Sequence, residues 1–248
     1  MSNFIYGKYS VCELLRLKPE FAQKLWYCSE EHLQGLENLN LCPKQKLESF
    51  QLKRNFGLKD FENHQGLVLE LKKDLNSLLL TSLEELMLES GEQDKFLIWL
   101  PAIQDAHNLG AIIRSCVALG NVSGIIIPRA NAVKLTPTVA KVSAGTIFSL
   151  KFAWFNDYTN SAKLLISQGF KLVAIQKNEK SLSLPQANFD EFKPFVLVFG
   201  SEERGIPHQI SKLCVASLQI PQLENIDSLN LSVAAGITLY EIKRQSLS

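Results

Sequence analysis

Three segments between residues 105 and 236 place polar side chains beside apolar stretches. Open α/β sheets bind ligands at the carboxyl ends of their strands, so polar residues in such places form a candidate site. The set holds no metal-ligand cluster, no P-loop and no pair of nucleophile and base, and it suits a site that positions and polarises a substrate. The segments are residues 105–114, 199–202 and 228–236, and they supply the polar side chains of Asn108, Arg114, Glu202, Ser228 and Asn230.

The first segment reads as a turn followed by a helix. Asn108 stands at the predicted helix start, where its side chain can cap backbone N–H groups. Arg114 lies six residues later among mostly apolar neighbours, so its guanidinium must reach water or an anion. A phosphate or carboxylate matches the paired donors of a guanidinium. His107 fits a structural hydrogen bonder better than a proton carrier.

The two later segments allow both a structural and a functional interpretation. Gly200 and Gly205 flank a charged loop, and glycine permits the backbone to approach a ligand closely. The glycine spacing matches neither a P-loop nor a dinucleotide-binding fingerprint, and taken alone the loop is a flexible charged tip. Gly236 falls inside a predicted helix at a cost of about 1 kcal/mol relative to alanine, which indicates close packing or a functional reason.

Composition indicates an ordinary globular protein. The 248 residues are 46% hydrophobic and 21% charged, which allows one large domain or two modest ones. No apolar run reaches the roughly 18–20 residues of a membrane span, and the N-terminus lacks the pattern of a secretory signal. The five cysteines are scattered without Cys-x-x-Cys spacing, so neither disulfides nor a zinc site is indicated. We therefore expect a cytoplasmic protein with no membrane partner and no metal.

Charge is distributed unevenly along the chain. Residues 1–95 hold 12 Lys and Arg against 15 Asp and Glu, a balance of −3, and residues 96–248 hold 14 against 10, a balance of +4. This mild asymmetry permits nucleic-acid binding by the C-terminal part without demonstrating it.

The first 73 residues predict a small α/β unit. A helix is expected over 9–17, with Val11, Leu14 and Leu15 on one face, and strands over 24–28 and 67–71. A linker rich in Ser, Glu, Asp and Leu follows over 74–94, with a short helix capped by Ser82.

From residue 96 onward, strand and helix patterns alternate. Apolar strands without interruption between helices favour a mostly parallel sheet that is covered on both faces. Strands are predicted over 96–100, 124–128, 148–152, 170–175, 195–199 and 217–220, and helices over 109–119, 137–144, 158–168, 208–213 and 229–244. Thr136 followed by Pro137 predicts a helix start, and Gly120 and Gly169 predict helix ends.

The order of the three segments, together with residues 134–145, resembles the SPOUT-class RNA methyltransferases of the TrmH family over residues 96–245. Residues 4–72, through Tyr6-Gly7 and His64-Gln65-Gly66, are similar to the small ribosomal-protein-like RNA-binding domain of the RlmB-type subgroup, which acts on large-subunit ribosomal RNA.

The resemblance implies an architecture and a reaction. It implies an RNA-binding domain over 1–73, a linker over 74–94, and a SPOUT domain over 95–248 with a C-terminal trefoil knot. S-adenosylmethionine would donate a methyl group to a ribose 2′-hydroxyl, most simply in a guanosine of 23S ribosomal RNA, within a homodimer that completes the site. The carried-over catalytic residues are Asn108, Arg114, Glu202, Ser228 and Asn230, and the cofactor residues are Ser143, Ala144, Gly145, Gly200, Ile220 and Leu229.

The sequence departs from the family pattern in the loop before Asn108. Pro101-Ala102 stands where relatives usually carry Asp-Gly, and Ala106 stands where they carry Pro. Three alternatives remain open: a tRNA target, an inactive RNA-binding protein, and a dinucleotide-dependent oxidoreductase, which the missing glycine fingerprint disfavours. Arg114 is assigned either the role of base or that of phosphate anchor.

Two surfaces complete the sequence-based expectations. Val233, Ile237 and Tyr240 recur at spacings of four and three, which predicts one face of the last helix as a dimer interface. The N-terminal domain is expected to contact RNA near Tyr6, Lys8 and His64 rather than through bulk charge.

Overall fold

The computed structural model describes residues 3–60, 62–89, 96–130, 133–201, 204–223 and 228–247. The chain forms two compact units. The first comprises Met1–Leu79 and Lys134–Ser149, and the second comprises Leu80–Val133 and Leu150–Ser248. The division into domains at residues 73 and 95 stays a prediction, and it differs from these units in where residues 134–149 fall.

The described residues contain twelve strands and nine α-helices. The strands are β1 (Phe4–Tyr6), β2 (Ala22–Tyr27), β3 (Lys44–Lys46), β4 (Leu67–Leu71), β5 (Leu80–Thr81), β6 (Phe96–Trp99), β7 (Val122–Pro128), β8 (Lys151–Phe155), β9 (Lys171–Ile175), β10 (Leu182–Ser183), β11 (Phe195–Phe199) and β12 (Ala216–Gln219). The helices are α1 (Lys8–Leu17), α2 (Ser49–Phe56), α3 (Leu75–Leu79), α4 (Leu83–Glu89), α5 (Ala106–Leu119), α6 (Pro137–Val142), α7 (Tyr158–Ser167), α8 (His208–Ser211) and α9 (Leu231–Gln245).

The first unit is built on a four-stranded sheet in the order β1-β4-β2-β3. β4 pairs antiparallel with β1 and β2, and β3 pairs parallel with β2 at the edge. The predicted apolar face of α1 is confirmed, because Val11, Leu14 and Leu15 are buried. α2, which the sequence did not predict, buries Leu52 in a cluster with Tyr6.

Residues 134–149 belong to the first unit through their packing on α1. Ser10, buried in α1, donates its hydroxyl to the Ala140 carbonyl at 2.9 Å. A Cβ placed on Gly145 would lie 2.7 Å from the Glu13 Cβ, a distance that real Cβ contacts do not show. Gly145 therefore allows α1 and this segment to approach closely.

The second unit holds eight strands in the order β10-β12-β9-β11-β6-β7-β8-β5, and all neighbouring strands are parallel. This confirms the predicted parallel α/β sheet. Apolar residues of α4, α7 and α8 form one buried cluster with the strands, and α5 and α9 pack against each other outside that cluster. The loops after β6, β11 and β12 meet at the carboxyl edge of this sheet.

Most predicted elements of the second half are present, with shifted ends. The strand predicted over 195–199 coincides with β11. The strand predicted over 148–152 is wrong in its bounds, because a 3-10 turn occupies Thr146–Ser149 and β8 begins at Lys151. Residues 147–155 are apolar almost throughout, so composition does not mark where the strand begins.

Candidate active site

Two cavities lie at the carboxyl edge of the second unit's sheet, on either side of the loop after β11. Ser201, Gly205 and Leu231 line both of them. The strand order places β6 beside β11 although they are far apart in sequence, and such a switch in strand order is where open parallel sheets form their ligand crevice.

The smaller cavity, of about 280 Å³, gathers four of the residues predicted for the site. Gly200, Ile220 and Leu229, predicted for the cofactor, line it together with Ser228, predicted for catalysis. Its described lining is mostly apolar, and Lys177 carries the only charge there. The remaining described lining residues are Ile175, Gln176, Phe199, Ser201, Gly205, Ile206, Gln222, Leu231 and Ala234.

Gly200 is required by its own loop. A Cβ at this position would lie 2.3 Å from the Gly205 carbonyl carbon and 2.5 Å from the Ile206 nitrogen. The loop is closed by two backbone hydrogen bonds between Ser201 and Gly205, at 3.1 and 3.0 Å, and the Ser201 hydroxyl accepts from the Arg204 N–H at 3.0 Å. The glycine therefore lets the chain fold back tightly and leave its backbone at the cavity wall.

The larger cavity, of about 930 Å³, opens on the other side of this loop. Most of its lining residues lie at or just after the ends of β6, β7 and β11, and Asn108 is the candidate catalytic residue among them. The other described lining residues are Pro101, Ala102, Ile103, Gln104, Asp105, Pro128, Ala130, Tyr158, Ser201, Arg204, Gly205, Pro207 and Leu231.

Helices α5 and α9 begin side by side at the junction of the two cavities. The predicted cap of α5 is wrong: Asp105 caps it by accepting from the His107 and Asn108 N–H groups at 3.0 and 3.3 Å. Asn230 caps α9 and donates its amide to Asn108 Oδ1 at 3.0 Å. α9 therefore begins at Leu231, two residues later than predicted, and the two helix starts are joined by one side-chain hydrogen bond.

Arg114 is separated from this junction. It is exposed on α5 and lines neither cavity. Within the described ranges it makes no hydrogen bond or ion pair, so its five N–H donors face outward. The next residue, Ser115, lies beside α9, with its hydroxyl 3.9 Å from a Cβ built on Gly236.

The remaining predicted site residues lie outside the described residues or in the first unit. Glu202 lies outside the described residues. Ser143, Ala144 and Gly145 belong to the first unit, where the Ser143 hydroxyl is buried and donates to the Ala140 carbonyl at 3.0 Å. Their assignment to the cofactor stays a prediction.

Two residues that line the larger cavity were not predicted as site residues from the sequence. Tyr158 begins α7 and donates its hydroxyl to the Pro101 carbonyl at 3.3 Å. Arg204 follows Glu202 in the charged loop and was interpreted only as part of an exposed tip. The strand order brings both to the loop after β6, and no local pattern could have revealed this.

The predicted RNA-contacting surface of the first unit is wrong in two of its three residues. Tyr6 is buried and donates to Glu62 Oε1 at 2.7 Å, and burial raises the pKa of Tyr6 to about 12. His64 is buried, with its Nε2 hydrogen-bonded to the Ser49 hydroxyl and its Nδ1 accepting from the Gly66 N–H. Burial lowers the pKa of the His64 imidazole. Both residues hold the loop before β4 in place and present no surface.

Several site classes receive no support in the described part of the chain. Those residues contain no group of three or more His, Cys, Asp or Glu side chains placed to bind a metal. Their helices include none with the length and apolar character to cross a membrane. All five cysteines are unpaired, and burial raises the pKa of Cys214 to about 12, which leaves its thiol unreactive near neutral pH.

The parallel sheet and the two cavities at its carboxyl edge are typical of α/β enzymes, which bind their ligands at that edge. Residues 95–240 match the SpoU rRNA Methylase family, and the chain belongs to that family. It is therefore an RNA methyltransferase with S-adenosylmethionine as its methyl donor, which confirms the predicted family, enzyme class and cofactor.

Relatives extend over nearly the whole chain. The 23S rRNA (guanosine-2'-O-)-methyltransferase RlmB of Acinetobacter baylyi is 33% identical over 99% of this chain and 98% of its own. The putative TrmH family tRNA/rRNA methyltransferase YacO of Bacillus subtilis is 32% identical over 98% and 96%. The AdoMet-bound rRNA methyltransferase from Sinorhizobium meliloti has the same fold, with a TM-score of 0.78 at 23% identity over 99% of this chain and 88% of that one.

Proposed function

We propose that this enzyme methylates the ribose 2′-hydroxyl of a guanosine in 23S ribosomal RNA. One observation carries the choice of target: relatives named for that reaction match 97% to 99% of the chain at 30% to 33% identity. The match therefore includes the first 73 residues as well as the region that the family covers. By contrast, two solved tRNA-modifying relatives cover 66% and 62% of this chain.

The smaller cavity fits the cofactor. Its apolar walls suit an adenine ring, and the tight turn at Gly200 leaves backbone groups at its edge. We assign Gly200, Ile220 and Leu229 to holding S-adenosylmethionine, which supplies a methyl group on a sulfonium when it is bound. Ser143, Ala144 and Gly145 are assigned to it on the resemblance alone.

The polar residues at the junction serve to position the RNA. Ser228 lines the cofactor cavity, while Asn108 and Asn230 are joined by a hydrogen bond at the wall between the cavities. These side chains are suited to holding the ribose hydroxyl in line with the methyl group. Such alignment of the reacting atoms accelerates a displacement reaction. Glu202 joins the set through the resemblance.

Arg114 acts as an anchor for RNA phosphate. A guanidinium stays protonated under ordinary conditions, so it is a poor base. Its planar donors match paired phosphate oxygens, and a phosphate held in this way orients the neighbouring ribose hydroxyl. Proton loss from that hydroxyl is still required, and the phosphate oxygen beside it is the acceptor that this arrangement favours.

The active enzyme is a homodimer that completes its site across the interface. α9 exposes Val233, Ile237 and Tyr240, with 48%, 39% and 61% of their surfaces accessible, along one face. Arg114 stands on α5 beside α9, and it lines neither cavity of its own chain. An interface on α9 would carry Arg114 toward the cavities of the partner subunit.

The chain is organised as an RNA-binding domain over 1–73, a linker over 74–94 and a cytoplasmic SPOUT catalytic domain over 95–248 with a trefoil knot. The RNA surface of the first domain is the basic stretch 44–59, which carries five Lys or Arg against one Glu despite the negative balance of the domain. Phe50 and Arg54 are both exposed there, one helical turn apart on α2. The Phe50 ring can stack on an RNA base, and the Arg54 guanidinium can bind the phosphate of the same nucleotide.

Mapping ribose methylation in cells that lack the protein tests this function. We expect one guanosine of 23S ribosomal RNA to lose its 2′-O-methyl group, and purified protein with S-adenosylmethionine to restore it in vitro. If a tRNA loses a methyl group while 23S ribosomal RNA stays fully methylated, the proposed target is wrong, but the proposed reaction is not contradicted. Purified protein that binds S-adenosylmethionine yet methylates neither RNA would instead identify an inactive binding protein.

A further inference from the structure

We propose that the larger cavity receives the base of the target nucleotide, turned out of the RNA stack. This inference rests on the proposed methyl transfer and adds the part of the substrate that the enzyme encloses. A volume of about 930 Å³ falls within the range of small-ligand sites. Enzymes that act on one nucleotide of a structured RNA or DNA commonly take its base out of the stack and hold it in such a pocket.

The position of the cavity relative to the cofactor cavity supports this assignment. Ser201, Gly205 and Leu231 line both cavities and so form a wall between them. A nucleotide with its base in the larger cavity would bring its ribose to that wall. Asn108, which lines the larger cavity, is joined there to Asn230 by the 3.0 Å hydrogen bond. The ribose would thus meet the positioning residues beside the methyl donor.

The lining has the chemistry of base recognition. Extruded bases are held by stacking on apolar or aromatic groups and by hydrogen bonds to their edges. Asp105 is exposed at the cavity, and each of its oxygens accepts one backbone N–H, which leaves lone pairs available. A carboxylate matches the adjacent N–H donors on the Watson–Crick edge of guanine. The apolar groups are Pro101, Ile103, Pro128, Tyr158 and Pro207, and the polar groups are Gln104, Asp105, Asn108 and Arg204.

One wall of the cavity is supported by contacts between side chains. The Tyr158 hydroxyl donates to the Pro101 carbonyl, and its ring lies 5.2 Å from that of Phe155, which stands edge-on to Trp99 at 5.2 Å. Pro101 and Ala102 both line the cavity. Tyr158 and Pro101 therefore form a supported wall of the base pocket.

Ala102→Trp in the full-length protein tests the pocket by filling it. Ile166→Trp, at an exposed position of α7, is the matched control. Each protein is assayed on RNA with the intact target nucleotide and on the same RNA with an abasic ribose there. Calorimetry with S-adenosylmethionine and thermal unfolding accompany each assay, and Ala102→Leu repeats the comparison with a smaller side chain that folds more readily.

We expect Ala102→Trp to lower kcat/KM on intact RNA by about 100-fold, with cofactor affinity within about threefold of wild type and the control unchanged. On abasic RNA, the kcat/KM of the wild-type protein should fall by a similar factor. The kcat/KM of Ala102→Trp should be little lower on abasic RNA than on intact RNA, because the substitution and the missing base remove the same contact. If the effects of the substitution and of the abasic site on kcat/KM multiply, the two changes are independent and the base-pocket proposal is wrong. Normal kcat/KM in both Ala102 variants would also refute the pocket, and neither result would contradict the proposed methyl transfer. Wild-type protein that methylates no RNA overturns the proposed function and the pocket together.

Discussion

Asn108 and Arg114 lie six residues apart on α5, yet their surroundings differ. Asn108 is half-buried at the junction of the cavities and accepts a hydrogen bond from Asn230. Arg114 is exposed, and no other described residue pairs with its guanidinium. A cation on a mostly apolar helix that has no hydrogen-bond or ion-pair partner among the described residues is available to an anion from outside. That Arg114 meets an anion stays a prediction, and the sequence alone did not show that only Asn108 of the two lines a cavity.

Arg114→Ala should lower methyl transfer by about 100-fold or more and leave S-adenosylmethionine affinity within a few-fold. The reason is that Arg114 lines neither cavity and serves RNA phosphate. Single-turnover methylation and calorimetric titration measure the two quantities. Arg114→Lys should restore little, because an ammonium lacks the planar pair of donors. Turnover at the wild-type rate in Arg114→Ala would remove this residue from the mechanism.

Asn230 has two separable tasks, and Asn230→Asp divides them. A carboxylate still accepts from the Ser232 and Val233 N–H groups and so keeps the cap of α9, but it no longer donates to Asn108. We expect unchanged thermal stability with reduced methyl transfer. Asn230→Ala should lose the cap as well and cost about 1 kcal/mol in the free energy of unfolding. Equal activity in Asn230→Asp and wild type would leave Asn230 a structural cap only.

At the scale of elements, the sequence predicted the helices that have a clear apolar periodicity or a recognisable N-cap residue. The helix start at Thr136 is confirmed by its hydrogen bond with Val139, and Ser82 caps α4 as expected. By contrast, α2 went unpredicted, since Leu52 is its single fully buried residue and one position makes no repeat. The surface expected at Tyr6 was wrong because the burial of a strand residue depends on α2 and on a loop some sixty residues away.

Gly200→Ala and Gly236→Ala should have opposite consequences. At Gly200 a Cβ meets backbone atoms of Gly205 within 3 Å, so the loop after β11 must rearrange and cofactor affinity should fall at least about tenfold. At Gly236 the nearest atom that a Cβ would meet is the Ser115 hydroxyl at 3.9 Å, so among the described residues of the chain no close packing requires this glycine. Alanine there should raise stability by up to about 1 kcal/mol. Calorimetry and thermal unfolding of both variants check the contrast, and an unchanged cofactor affinity in Gly200→Ala would show that the cavity is not the cofactor site.

At the scale of the whole molecule, residues 134–149 are part of the catalytic half of the sequence and yet pack with the N-terminal unit. The hydrogen bond from Ser10 to Ala140 joins positions 130 residues apart, and no local pattern predicts a contact of that range. The segment also carries buried apolar side chains, among them Val139, Ile147 and Phe148. The first unit is therefore not a simple appendage that ends at residue 73.

Deleting residues 1–73 should consequently destabilise residues 134–149. The deletion removes α1 and uncovers Val139, Ile147 and Phe148, which would face water. Hydrogen exchange should report faster exchange over 134–149, while the backbone of β11 stays protected. Protection of 134–149 equal to that in the full-length protein would show that this segment is held by other contacts.

Mixing two inactive variants tests whether the site is completed across a dimer. Sedimentation at micromolar protein should first show a dimer, and Ile237→Glu should yield monomers, whereas Ile166→Glu at a similarly exposed position should not. Co-expressed Arg114→Ala and Asn230→Ala chains form mixed dimers in about half of all cases. If Arg114 serves the partner's Asn230, each mixed dimer holds one intact site, and activity should recover to about one quarter of wild type. If both residues act within one chain, every site lacks one of them, and the mixture should stay inactive.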